Sequence, residues 1–219
     1  MWRTSALALL FAAGGAFAAE APPALQELIR RAEAGERGAM HALAESYYAG
    51  SNGAEQDFSR AAQWYQRLAK SGDAQAQTSL GLMYSRGYGV PKNLAEAHRW
   101  WNFAAIQNDP GAQYNLALGY SNGEGVAVDH ERAVRWFRQA AGRGHVQAQR
   151  NLGVHYFEGR GVARDPQRAY FWMRVAAMQG DAPAEDALPV MRKELSAAQL
   201  REAESEAATW MKQQRKLVQ

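Results

Sequence analysis

The sequence contains no cysteine. That absence excludes disulfides, thiolate metal sites, a cysteine nucleophile and lipidation of a leader cysteine. Charge of one sign is lacking too. Against 25 Lys and Arg stand 22 Asp and Glu, and so small a surplus argues against nucleic acid as a partner. Beyond the first residues no apolar run reaches the roughly 20 residues a bilayer demands, so no integral membrane span is expected there.

The signatures of catalysis and cofactor binding are also missing. YSRGYGV at Tyr84 and YSNGEGV at Tyr120 look like phosphate loops, but Lys92 and Val128 stand where a dinucleotide fingerprint needs its third glycine, and the flanking pattern is helical. No Gly-Lys-Ser/Thr follows. HERAV at His130 begins like a zinc helix and then places Val134 where the second histidine belongs. There is no Ser-x-x-Lys. The five histidines, His41, His98, His130, His145 and His155, fall at unrelated phases and are expected to be solvated or to cap helices. The chain is therefore read as non-enzymatic, with no catalytic residue, no cofactor and no metal.

What is present begins with a leader over residues 1–18. Arg3 supplies the charge, Ala6 to Ala13 the apolar stretch and Ala16-Phe17-Ala18 the small-residue cleavage site, so the mature chain is expected to start near Ala19. Export to the periplasm, or secretion, follows as the expected localisation. An exported chain without disulfides must hold itself together by packing alone.

The rest of the chain repeats itself. YSRGYGV returns 36 residues on as YSNGEGV and again as YFEGRGV. The same step carries Leu80 to Leu116 and Leu152, and Trp100 to Trp136 and Trp172. Stepping back gives Tyr48, Ala61, Trp64 and Ala69, a fainter first copy. Each copy reads as two amphipathic helices. Asp57, Asn93, Asp129 and Asp165 are placed to cap the second helices; Asp73, Asp109, His145 and Asp181 are placed to cap the first. Gly87, Gly123 and Gly159 sit where a left-handed residue ends a helix. Gly81 and Gly153 lie inside the first helix, where the third copy has Ala117, so smallness is what that position requires. The in-phase tryptophans, and Trp101 beside them, are read as packing residues.

The divisions that follow are a leader at 1–18, a partner helix at 24–35, a degenerate repeat at 37–75, and repeats at 76–111, 112–147 and 148–183. The remainder, 184–219, is a partial repeat with Pro189 as a kink or break, then a capping helix opened by the Ser196/Gln199 capping box. The fold class is all-α: helix pairs that cannot bury their apolar faces alone stack into a solenoid.

The runs AQAQTSLGLMYSRGYGV, AQYNLALGYSNGEGV and AQRNLGVHYFEGRGV, with A-x-x-W and paired alanines between them, resemble the Sel1-like repeat family, relatives of tetratricopeptide repeats. The resemblance implies a right-handed α-solenoid of antiparallel helix pairs and an adaptor that holds an envelope protein or an extended peptide segment. A cell-wall or β-lactam-active hydrolase and a secreted host-interaction factor are the alternatives; the paired cysteines of the β-lactam-linked relatives are absent here. In such solenoids the first helices line the concave face. Their positions that vary between copies are the candidate partner contacts: Tyr47, Ser79, Met83, Asn115, Leu118, Gly119, Asn151, Val154 and His155. Asn115 and Asn151 are suited to clamping a backbone amide. Met83, Gly119 and His155 are expected to tell the copies apart.

Overall fold

The structure is a computed structural model and describes residues 22–217; the leader lies outside them. Among the described residues there are eleven helices and no strand. They are α1 (Pro23–Glu33), α2 (Arg37–Ala49), α3 (Phe58–Lys70), α4 (Ala74–Arg86), α5 (Leu94–Ala105) and α6 (Pro110–Asn122). After them come α7 (His130–Gly142), α8 (Val146–Glu158), α9 (Pro166–Ala177), α10 (Ala182–Arg192) and α11 (Ala197–Leu217). From α1 to α10 each helix packs on the next, and α11 packs on α9. This is the α-solenoid that the repetition requires.

The local signals work as their chemistry demands. Asp57, Asn93, Asp129 and Asp165 each accept the N–H three residues on, opening the second helices. Asp73, Asp109, His145 and Asp181 do the same for the first helices. Gly87, Gly123 and Gly159 end α4, α6 and α8 in the left-handed conformation, at φ 77°, 77° and 71°. Ser196 and Gln199 form the reciprocal capping box before α11. α10 runs through Pro189 and ends three residues later. The bond lost there is the one to the Glu185 carbonyl, and Glu185 lies on an exposed face where water can satisfy it.

The second glycine of each loop has a separate task. A Cβ on Gly125 would lie 2.6 Å from the carbonyl oxygen of Leu94, the first residue of the preceding second helix. Gly89 meets Phe58 and Gly161 meets His130 in the same way. Gly53 meets Pro22, with a Cβ 2.7 Å from the Pro22 ring. α1 therefore occupies a second-helix slot ahead of the first pair.

In the first copy the register differs from a constant step. α2 starts 37 residues before α4, whereas α4, α6 and α8 are 36 apart. The Asp57 N–H donates to the Tyr47 carbonyl as that of Asn93 donates to Tyr84. Tyr47, and not Tyr48, is thus the counterpart of Tyr84, because the loop from Gly50 to Asp57 is one residue longer than that from Gly87 to Asn93. An extra loop residue leaves both helices intact and shifts every first-helix assignment by one.

Each repeat is also fastened to the next by side chains at one first-helix position. His41 bonds Asp73 at 2.9 Å, Thr78 donates to Asp109 at 3.0 Å, Tyr114 stacks on His145 at 4.4 Å, and Arg150 donates to Asp181 at 2.8 and 2.6 Å. The partner changes from copy to copy, and in each case it holds the cap that starts the following first helix. Buried Gln77, Gln113 and Gln149 donate to the carbonyls of Ala69, Ala105 and Ala141, which end the preceding second helices.

Candidate functional site

Two depressions on the first-helix side stand in repeat relation. One, of about 450 Å³, is lined by Leu82, Ser85, Arg86, Lys92, Leu94, Trp101, Asn115, Leu118 and Glu124. The other, of about 150 Å³, is lined by Leu118, Ser121, Asn122, Phe137, Asn151, Val154, His155 and Arg160. Stepping 36 residues carries Leu82 to Leu118, Ser85 to Ser121, Arg86 to Asn122, Trp101 to Phe137, Asn115 to Asn151, Leu118 to Val154 and Glu124 to Arg160. Leu118 lines both, so the two depressions adjoin. Repetition of helix pairs generates it: the same helical face recurs with each copy and leaves the same gap at its edge.

One step earlier the corresponding space is filled. Tyr88 stacks on Phe58 at 4.7 Å between ring centroids, and Tyr48 meets Phe58 edge-on at 5.3 Å. Tyr88 is the residue between the two loop glycines, and its counterparts are Glu124 and Arg160. The aromatic triplet closes that end of the groove, and the variable residue of the G-x-G loop is what changes at its lip. Sequence reasoning overlooked this position because both glycines drew attention to the backbone. Its signal was visible: three copies, three unrelated side chains.

The nine predicted contact positions separate into two groups. Ser79, Asn115, Leu118, Asn151 and Val154 are half-buried, and all except Ser79 line the groove. Ser79 is hydrogen-bonded to Tyr65 and Asn151 to Tyr114. The Asn115 side chain has no hydrogen-bond partner among the described residues.

Tyr47, Met83 and Gly119 are corrected by the structure, and His155 reaches the second depression only by the edge of a nearly buried ring. All are buried, Met83 completely and His155 to 3% exposure. Met83, Gly119 and His155 vary because each packs inward between helices. A Cβ on Gly119 would strike the His98 ring, and His155 packs on Phe137 at 5.3 Å. Tyr47 has the Arg60 guanidinium over its ring, the arrangement that Arg132 and Arg168 make with Tyr120 and Tyr156.

The histidines are corrected as well. His98 and His155 are core residues, not solvated ones, and burial lowers the pKa of both. His155 Nδ1 lies 2.8 Å from the Arg160 carbonyl oxygen and its Nε2 lies 3.4 Å from Ser121 Oγ. The ring ties the loop to the helix. His145 is the one that caps a helix. Among the described residues no group of three or more metal-ligating side chains converges, and no helix is long and apolar enough to cross a membrane.

Electrostatically the larger depression is lopsided. Arg86 and Lys92 are exposed at its lip and have no ion-pair partner among the described residues. Glu124 accepts from the Asn122 amide at 3.1 Å. Arg160, at the second depression, is paired with Glu158. The arrangement offers apolar seats, one free amide and unpaired charge of both signs, two cations against the Glu124 carboxylate, which suits binding.

The Sel1 repeat family model matches residues 38–73, 74–109, 110–145 and 146–181. The chain is similar to a protective antigen present in uropathogenic Escherichia coli strains that displays an SLR fold: 31% identity, a TM-score of 0.78, 86% of this chain and 40% of that one. It is also similar to a Sel1 repeat protein from Oxalobacter formigenes, at 31% identity and a TM-score of 0.66, over 75% of this chain and 73% of that one. The chain thus spans 40% of the length of the first relative. No curated protein shows significant similarity.

Proposed function

The chain belongs to the Sel1 repeat family, whose members generally mediate protein–protein interaction, and from that premise we propose that it is an exported adaptor of the cell envelope. Its groove between successive first helices holds an extended segment of another envelope protein. The observation that carries this reading is the recurrence of the depression one repeat on, with Leu118 common to both. A surface that repeats in one direction offers equivalent seats to a linear partner. The preformed helices lower the ordering cost of binding. The leader reading supports export, and the repeated apolar lining of the two depressions supports a binding role.

Photo-crosslinking in cells tests the proposal. A photoreactive residue replacing groove residue Leu118 is expected to trap a discrete partner in the envelope fraction. One replacing Arg135, exposed on α7, is expected to trap none. Crosslinking from Arg135 alone would put the partner on the wrong face.

A further inference from the structure

We infer that the outer face of α5 docks an acidic amphipathic helix of a partner protein. This surface is separate from the depressions, which neither Phe103 nor Ile106 lines.

Phe103 and Ile106 are 38% and 65% exposed, and Trp100 meets Phe103 edge-on at 5.8 Å. Their counterparts one copy back are Arg67 and Lys70, and one copy on Gln139 and Gly142, all exposed. This face of a second helix therefore looks outward by position, and α5 makes it apolar without a cover. On α9 the same face is covered. Val175, the counterpart of Phe103, is fully buried with Ala207 and Met211 of α11, and Phe171 and Trp210 pack beside them. In α11 the buried residues Ala203, Ala207 and Met211 recur every fourth residue. Glutamates next to that seam reach α9: Gln167 donates to Glu202 at 2.9 Å and Tyr170 to Glu204 at 3.1 Å. The fold thus already accepts, on this face of a second helix, a helix with alanines in its seam and acids at its edge.

The charges around Phe103 and Ile106 favour the same occupant. Arg67 and Lys70 on α3 have no ion-pair partner. Arg143, at the end of α7, bonds the neutral oxygens of Asn108 and Gln139. Arg99, whose guanidinium lies over the Trp100 and Phe103 rings, is paired with Glu96. Asp73 and Asp109 are engaged as helix caps and also bond His41 and Thr78. Glu131 and Arg135 are unpaired too, but lie about three and two turns before Gly142, the level of Ile106 on α7. A second copy seated here about a twofold axis would set the three cations Arg67, Lys70 and Arg143 against their own images. An acidic helix neutralises them.

A synthetic helix of about 18 residues, five turns, with alanine or leucine at every third and fourth residue and glutamate on either side, tests the inference by NMR titration of the ¹⁵N-labelled protein. It is expected to shift the Phe103 and Ile106 amide signals and to bind roughly tenfold more tightly than the same helix with Lys for Glu. Phe103→Gln with Ile106→Gln should weaken it about tenfold or more, the effect of losing one apolar seat. Gln139 holds the Phe103 position in the third copy, so the fold accepts glutamine there, and Ile106→Gln alone should weaken binding in the same direction. Equal binding by parent and double variant, no preference for the Glu helix over the Lys helix, or no peptide binding at millimolar concentration overturns the inference. If no peptide binds, attachment to phosphatidylglycerol vesicles or a dimer in ultracentrifugation, lost in the double variant, gives the face to a membrane or to a second copy. Crosslinking at Leu118 is a separate readout, so failure here leaves the groove reading as it stands.

Discussion

A Cβ added to Gly81 would come within 2.5 Å of Cδ1 of Trp101. The indole is held in place, since Nε1 donates to the Thr78 carbonyl at 3.2 Å. At the equivalent site in the fourth copy, a Cβ on Gly153 would lie 3.1 Å from the Ala169 carbonyl oxygen and 3.4 Å from the flexible Met173. The two glycines look interchangeable in sequence. Their partners make them different.

Gly81→Ala should therefore destabilise by about 1–3 kcal/mol, the usual cost of overpacking. Gly153→Ala should stay within about 1 kcal/mol of the parent, because the gain in helix propensity offsets a small backbone adjustment. Urea denaturation of the two variants side by side checks the difference; equal losses would contradict it.

Gly119 and His98 should behave as a coupled pair. Gly119→Ala drives a methyl into the imidazole and is expected to cost about 1–3 kcal/mol. In the His98→Ala background the same change should cost much less, giving a coupling of at least ~0.5 kcal/mol in a double-mutant cycle. Ala62 and Val134 hold the phase of His98 in neighbouring copies, which is why larger residues, Met83 and His155, fit there.

The loop glycines should tolerate least. Gly125 combines φ +80° with the approach to the Leu94 carbonyl, so Gly125→Ala is expected to lose more than ~2 kcal/mol. Gly72, at φ +90° with open space around it, should lose only about 1 kcal/mol on the same change. Thermal melts of both variants decide the matter.

Stability should fall on the acid side in two stages. His98, His145 and His155 have folded pKa values pushed below the ordinary 6.5 by burial. Their contribution is complete above about pH 6.5 and declines as pH falls, because the unfolded chain then takes up protons the core refuses. For Asp73 burial works to raise the pKa, but the His41 hydrogen bond and the Ala76 N–H prevail and lower it below 3.8. Its contribution is present above that value and is lost as pH falls further. Denaturation midpoints measured from pH 8 to pH 3 should drop first below 6.5 and again below 4. A flat profile between pH 7 and 5 would contradict the histidine part.

Much of this molecule is readable in one dimension because its instructions are local. Caps, turn glycines and the 36-residue step act over a few residues, so Asp129, Gly123 and the Ser196/Gln199 box show their structural work without any knowledge of the neighbours. The sequence by itself therefore determined that the chain is a stack of helix pairs and where the capped helix ends of its clear copies fall. Which variable residue meets a partner was not local. Met83 and Gly119 vary as freely as Glu124 and Arg160, yet the first two lie between packed helices and the others sit in loops that line the depressions. Periodicity assigns residues to a face of a helix, but only packing decides which face another helix covers. The same holds for the extra residue before Asp57, the fastening of Arg150 to Asp181, and the burial of His98. Each depends on the position of a neighbouring helix or loop, and the tertiary structure alone supplies that position.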